Sequence, residues 1–193
     1  AVSPARPPGS RSRAGRLLAC RSGPDRIPSV PGERRGFGPS PDVVLEALRR
    51  ASGLSIDDEG SFRVHGERIT HARTLETLWA SLERRADGAY EVHVGRESAV
   101  VSIADAPFAV RGLVPGPYGL DLLLSDGSRE PLRPASLRLG RDGVLRCTVK
   151  GGHPARFSRS AQVALGLRLE EDRRAPGGFR LFLGGESWPV GAE

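Results

Sequence analysis

The stretch Arg84-Arg85-Ala86-Asp87-Gly88-Ala89-Tyr90-Glu91-Val92-His93-Val94-Gly95-Arg96-Glu97-Ser98 is answered, 89 positions later, by Arg173-Arg174-Ala175-Pro176-Gly177-Gly178-Phe179-Arg180-Leu181-Phe182-Leu183-Gly184-Gly185-Glu186-Ser187. Identities fall at Arg, Arg, Ala, Gly, Gly, Glu and Ser, where ordinary composition gives about one or two. Both stretches read as a hairpin. Tyr90, Val92 and Val94 alternate with polar residues, as do Phe179, Leu181 and Leu183, the period of a strand with one buried face. A glycine turn follows, Gly95 or Gly184-Gly185, and then a second apolar run, Ala99 to Ile103 or Trp188 and Val190.

The match continues upstream. Leu54, Ile56, Gly60, Phe62 and Arg63 stand against Leu137, Leu139, Gly143, Leu145 and Arg146 at an offset of 83, and Ala72-Arg73 against Ala155-Arg156 at the same offset. The six-residue change of offset is expected near Glu170-Glu171-Asp172, as a lengthened helix end. Each copy then reads as a short strand, a turn at Asp58-Glu59-Gly60 or Arg141-Asp142-Gly143, a second strand, a helix and a closing hairpin. In the first copy Leu75, Leu78, Trp79 and Leu82 form an i, i+3, i+4, i+7 stripe. In the second, Ser158 caps a helix whose apolar face holds Ala161, Leu165 and Leu169. Ser40 and Pro41 start a leading helix carrying Val44, Leu45 and Leu48, which Gly53 ends. Phe108-Ala109-Val110 and Leu120 to Leu124, with a turn at Ser125-Asp126-Gly127, read as bridging strands.

The expected fold is therefore α+β: two tandem copies of a strand–hairpin–helix–hairpin unit packed together. The expected division is a basic disordered tail over 1–40, an N-terminal copy with its leading helix over 41–112 and a C-terminal copy over 113–193. Each unit has one apolar face, and packing the two together buries both.

Charge separates the tail from the body. The 193 residues carry a net charge of +6, and residues 1–40 hold eight Arg against Asp25 and Glu33. Of 29 Lys and Arg the remaining 21 meet 21 Asp and Glu. A neutral body has no gross footprint for a phosphate backbone, so nucleic acid is expected only through the tail. The tail itself is rich in Pro, Gly, Ser and Arg and has too little apolar surface to offset its ordering entropy. Leu17-Leu18-Ala19-Cys20 lacks the apolar stretch of about 7–15 residues that a signal peptide needs. No apolar run reaches the ~18 residues of a membrane span, so no membrane association is expected. Cys20 and Cys147 do not make a disulfide framework; Cys147 reads as a buried small hydrophobe in a reducing, cytoplasmic setting. Lys150 is the only Lys, an Arg bias that a GC-rich gene explains.

Catalytic chemistry finds little support. His65, His71, His93 and His153 form no metal-binding spacing, no P-loop or GxGxxG is present, and no GxSxG elbow occurs. No catalytic residue, metal or cofactor is expected. Glu97 and Glu186, each before a serine in equivalent turns, are a carboxylate pair related by the repeat. Arg73, Arg156 and Arg159 are expected at helix starts, where free N–H groups and a fork of donors suit an anion. Asp105, held rigidly before Ala106-Pro107-Phe108, is placed to orient a ligand hydroxyl or amine. Trp79 is expected in the core, and Trp188 beside Pro189 is a further candidate contact.

At Asp58-Glu59-Gly60, Ile69 through Trp79, and Ile103-Ala104-Asp105-Ala106-Pro107-Phe108, the sequence resembles the bacterial domain-of-unknown-function family 1285 (DUF1285). The resemblance covers about residues 50–191; Ala104 and His71 depart from the family's acidic residue and Arg. It implies a duplicated architecture with a superficially pleckstrin-homology-like second copy. It also implies a ligand site between the copies, for a nucleotide-like molecule, and a signalling role. The expected function is a non-enzymatic ligand-binding or sensor module for a small anion, using Arg73, Glu97, Asp105, Phe108, Arg156, Arg159, Glu186 and Trp188. The alternative is a protein–protein interaction module without a small ligand.

Overall fold

Helix α1 (Pro41–Arg49) opens the described part of the chain, with Pro41 at the first helical position. The computed structural model describes residues 38–50, 53–117 and 119–193. All but the last three residues of the expected tail therefore lie outside the described residues. Val44, Ala47 and Leu48 form the buried face of α1, which lies on the first sheet.

Then come β1 (Leu54–Ile56), β2 (Phe62–Val64), β3 (Glu67–Arg68), α2 (Ala72–Ala80), β4 (Leu82–Arg84), β5 (Tyr90–Val94) and β6 (Glu97–Ile103). They make a six-stranded sheet in the order β3-β2-β1-β6-β5-β4. A meander follows: β7 (Phe108–Gly116), β8 (Gly119–Leu124) and β9 (Arg129–Pro131). After a single turn of 3-10 helix come β10 (Arg138–Leu139), β11 (Leu145–Val149), β12 (His153–Phe157), α3 (Arg159–Gly166) and β13 (Leu169–Glu171). The chain closes with β14 (Phe179–Leu183), β15 (Glu186–Pro189) and β16 (Gly191–Ala192). The second sheet runs β16-β10-β11-β12-β7-β8-β9, and β13-β14-β15 form a third. The architecture is α+β. The boundary expected at 112/113 falls inside β7, whose residues 108–110 pair in parallel with β12.

Strand registers in the two halves can be laid side by side. Ile56 faces Phe62 and Ile103, and Leu139 faces Leu145 and Ala192. Leu82 faces Val92, which faces Ala99; Leu169 faces Leu181, which faces Trp188. One difference is local. Where β6 runs on through Val100, the second half has Pro189. Proline has no N–H to give to a ladder, and the strand is divided into β15 and β16.

Three sequence expectations are corrected. Leu82 and Leu169 do not extend the helical stripes: α2 ends at Ala80 and α3 at Gly166, and both leucines open short strands. Glu170-Glu171-Asp172 is accordingly no helix end. The six-residue change of offset is split. The helix caps His71 and Ser158 already differ by 87, and the turn from Asp172 to Gly178 is two residues longer than that from Arg85 to Ala89. The Ala72-Arg73 match to Ala155-Arg156 is therefore a coincidence of an Arg- and Ala-rich composition. Arg156 is a strand residue on β12, not a helix start.

Two buried clusters fill the halves. One gathers Leu54, Ile56, Phe62, Val64, Leu78 and Val92 with the α1 face. The other gathers Val110, Leu122, Leu145, Phe157, Leu165 and Leu181. Trp79 and Leu82 pack against both. An aromatic seam joins them: Trp79 meets Phe62 edge-on at 4.6 Å and stacks on Phe108 at 5.4 Å, and Phe108 meets His153 at 5.7 Å.

Candidate anion site between the halves

The turn after β1 is built by Asp57. Its carboxylate accepts the N–H groups of Glu59 and Ser61 at 3.1 and 2.8 Å and Arg63 Nε at 2.7 Å. Burial alone would raise its pKa; these donors outweigh burial and hold it below the ordinary carboxylate value. The turn presents Asp58 and Glu59 outward and needs Gly60 at φ +68°. A Cβ at Gly60 would stand 2.7 Å from that of Ala109 and 2.8 Å from that of Ser125, so only glycine lets the first half approach β7 and β8 this closely.

Opposite this turn the register of β7 and β8 skips Arg111: Val110 faces Leu124 and Gly112 faces Leu123. Such a bulge re-aims a side chain. Arg111 Nη2 reaches back to the Gly60 carbonyl at 3.4 Å and Ser61 Oγ at 3.2 Å. The Ser158 N–H donates to the Val110 carbonyl at 2.9 Å, which sets the start of α3 beside the bulge. Ser158 Oγ accepts the Ala161 N–H at 3.3 Å. The N–H groups of Arg159 and Ser160, first in the helix, have no intrahelical acceptor.

These elements enclose a cavity of about 490 Å³ between the halves. Asp58, Glu59, Ser61 and Arg68 line it from one side and Arg111, Arg156, Ser158, Arg159 and Ser160 from the other. Four guanidinium groups thus face two carboxylates. Arg156 Nη1 donates to the Asp58 carboxylate at 2.8 Å and to its carbonyl at 3.0 Å. Arg111 bonds only neutral oxygens, and Arg68 and Arg159 have no carboxylate partner among the described residues. The local excess of positive charge and the start of α3 together suit a small anion.

The sequence candidates separate into a cluster of three and five outliers. Arg156 and Arg159 line the cavity. Asp105 stands behind it: Arg146 Nε and Nη2 donate to its two oxygens at 3.1 and 2.9 Å, and Arg156 Nε lies 3.0 Å from Oδ2. That last contact is an ion pair without hydrogen-bond alignment, since Arg156 Nε has no aligned acceptor among the described residues. Asp105 is therefore occupied by arginines, and its effect is to hold Arg156 in place. Arg146 also meets Asp142 at 2.8 Å and Glu193 at 3.0 Å; it draws the Asp142 pKa down to about 2. Phe108 is buried in the aromatic seam. Arg73 is in α2 beside an apolar groove against α1. Glu97 and Glu186 sit at the tips of hairpins in different sheets. Trp188 lines a separate cavity of about 410 Å³ with Pro176 and Arg138. Sequence reading missed Arg68, Arg111, Ser61 and Ser160. The signal it had was Ser158-Arg159-Ser160, hydroxyls around an arginine at a helix cap; a bulge at Arg111 leaves no mark in hydropathy.

Among the described residues no group of three or more His, Cys, Asp or Glu could hold a metal ion, and no helix is long and apolar enough to cross a membrane.

No family model and no curated protein matches the chain. Two solved structures do. A DUF1285 family protein from Silicibacter pomeroyi DSS-3 superposes with a TM-score of 0.56 at 18% identity, over 72% of this chain and 79% of that one. A DUF1285 family protein from Shewanella baltica OS155 gives a TM-score of 0.46 at 18% identity, over 55% of this chain and 84% of that one. The chain shares the fold of the first, and that fold is the one carried by the family its sequence resembles.

Proposed function

We propose that the chain is a ligand-binding sensor module without catalytic chemistry, taking a small phosphate-bearing or similar anion in the cavity between its halves. The observation that carries the reading is the convergence of Arg68, Arg111, Arg156 and Arg159 on one cavity at the start of α3. Clefts between structural units are common ligand sites. The resemblance to DUF1285 points the same way, toward a nucleotide-like ligand and a signalling role.

We further propose that residues 54–103 and 138–192 are tandem copies of one unit, the second superficially pleckstrin-homology-like. The matched registers of β1, β2 and β6 with β10, β11 and β16 support this. A ligand binding where the copies meet would stiffen one against the other, which gives sensing a physical basis.

The test is the thermal midpoint of the full chain against phosphate, pyrophosphate and nucleoside phosphates. Binding to the folded state at a hundredfold excess over Kd stabilises by about 2.7 kcal/mol. The midpoint should rise for at least one of these anions, and the rise should vanish in Arg159→Ala and Arg68→Ala. A rise that persists in both variants puts the ligand elsewhere. No rise with any of them rejects the anion site in favour of a protein-binding module.

A further inference from the structure

Six large apolar side chains are exposed among the described residues, and three of them gather at the C-terminal end of α3. Val163 and Leu167 are 65% and 86% exposed. Phe182, 42% exposed, donates its N–H to the Arg168 carbonyl at 2.9 Å, which sets it beside the end of the same helix. The other three are scattered over α1, β6 and β8. Helix α3 buries Ala161 and Leu165. Away from that face Ser160, Val163 and Leu167 stand at i, i+3 and i+7, a stripe about 10 Å long. Ser160 and Arg159, at its start, line the anion cavity. Arg168, at its end, is exposed as well. A leucine as exposed as Leu167 stands out from the surface. A protein partner would need a socket shaped to it, whereas the hydrocarbon of a bilayer closes around it without one.

Resting on the anion-site reading above, we propose that α3 docks the protein on a membrane surface bearing phosphate headgroups. The headgroup phosphate enters the cavity at Arg111, Arg156 and Arg159, and Val163, Leu167 and Phe182 enter the acyl boundary beside it. Charge and apolar surface are thus matched to one occupant. An anionic lipid presents phosphate and hydrocarbon about a headgroup layer apart, and attachment of this kind draws on both. A soluble nucleotide fills the cavity and leaves the stripe in water. The expectation of no membrane association rests on the lack of a spanning run; a peripheral contact needs none.

Residues 1–40 carry eight Arg and are drawn to any anionic vesicle, so the decisive comparison is between chains that share them. The full chain is sedimented with vesicles of phosphatidylcholine, and with vesicles of phosphatidylcholine and phosphatidic acid in equal parts. It should bind the mixed vesicles and not the neutral ones. Val163→Gln with Leu167→Gln changes exposed positions only. That double variant should bind the mixed vesicles about tenfold more weakly or worse, and should keep the rise in thermal midpoint that inorganic phosphate produces. Arg159→Ala should lose both. In a Cys20→Ser chain, Leu167→Cys carrying a polarity-sensitive dye should shift its emission to the blue on the mixed vesicles alone. Undiminished binding by the double variant assigns attachment to the basic residues 1–40 and overturns the docking face. Equal binding to neutral vesicles, or none to either, overturns it too, and in all three cases a persisting phosphate-induced rise leaves the anion site standing. No such rise in the parent chain overturns the anion site and the docking with it.

Discussion

Arg156 and Asp58, 98 positions apart in the chain, meet at 2.8 Å where the halves join. The carboxylate is 61% exposed and the guanidinium 24%, so the two ends of the pair are not equally dispensable. Asp58→Asn should cost less than about 1 kcal/mol, as exposed ion pairs do. Arg156→Ala removes a hydrogen-bonded charge that also faces Asp105, and should cost about 1–3 kcal/mol. Urea unfolding of both variants compares them; equal losses would show that Asp105 gains nothing from Arg156.

The Tyr90 hydroxyl and His153 Nδ1 are hydrogen-bonded at 2.9 Å. Burial first, and then Arg84 and Lys150, lower the His153 pKa. The folded chain thus resists a proton that the unfolded chain accepts below about 6.5. Stability should fall as pH drops through 6.5 and level off below the folded value. His153→Gln should flatten that slope in denaturant titrations between pH 5 and 8; an unchanged slope removes His153 from the account.

Much of this was legible in the residues, and the failures are instructive. Glycine turns and alternating strands were read from Tyr90 to Ser98 and from Phe179 to Ser187, because a period of two survives in a short window. Leu82 and Leu169 were misplaced because a leucine one turn past a helix end continues its stripe in sequence whether or not the helix continues. Arg156 was misplaced by a chance dipeptide match. The sequence places Asp105 to orient a ligand group and leaves its ion pairs unseen, because its partners Arg146 and Arg156 stand 41 and 51 positions away, and no local pattern announces a pairing across a junction.

Trp79 packs against both buried clusters, between Phe62 and Phe108. Trp79→Ala should cost about 3–5 kcal/mol. Because the residue serves both clusters, circular dichroism should show a lower urea midpoint and a broader or split transition. A single transition as steep as that of the parent chain, or a loss below about 1 kcal/mol, would mean that the clusters are not coupled through it.

Burial, with a smaller push from Glu130, raises the Cys147 thiol to about 12. In a Cys20→Ser background a disulfide reagent should label Cys147 no faster than the chain unfolds. Rapid labelling of the folded chain would show that β11 opens locally.

The bulge at Arg111 has a consequence for how such a protein changes over generations. The ladder between β7 and β8 closes over Val110 and Gly112 and leaves position 111 out of its count. A substitution there changes the cavity lining, and the contacts to Gly60 and Ser61, without asking any strand to re-pair. If the cavity holds an anion as proposed, its selectivity can drift at position 111 while the β7–β8 ladder stays constant.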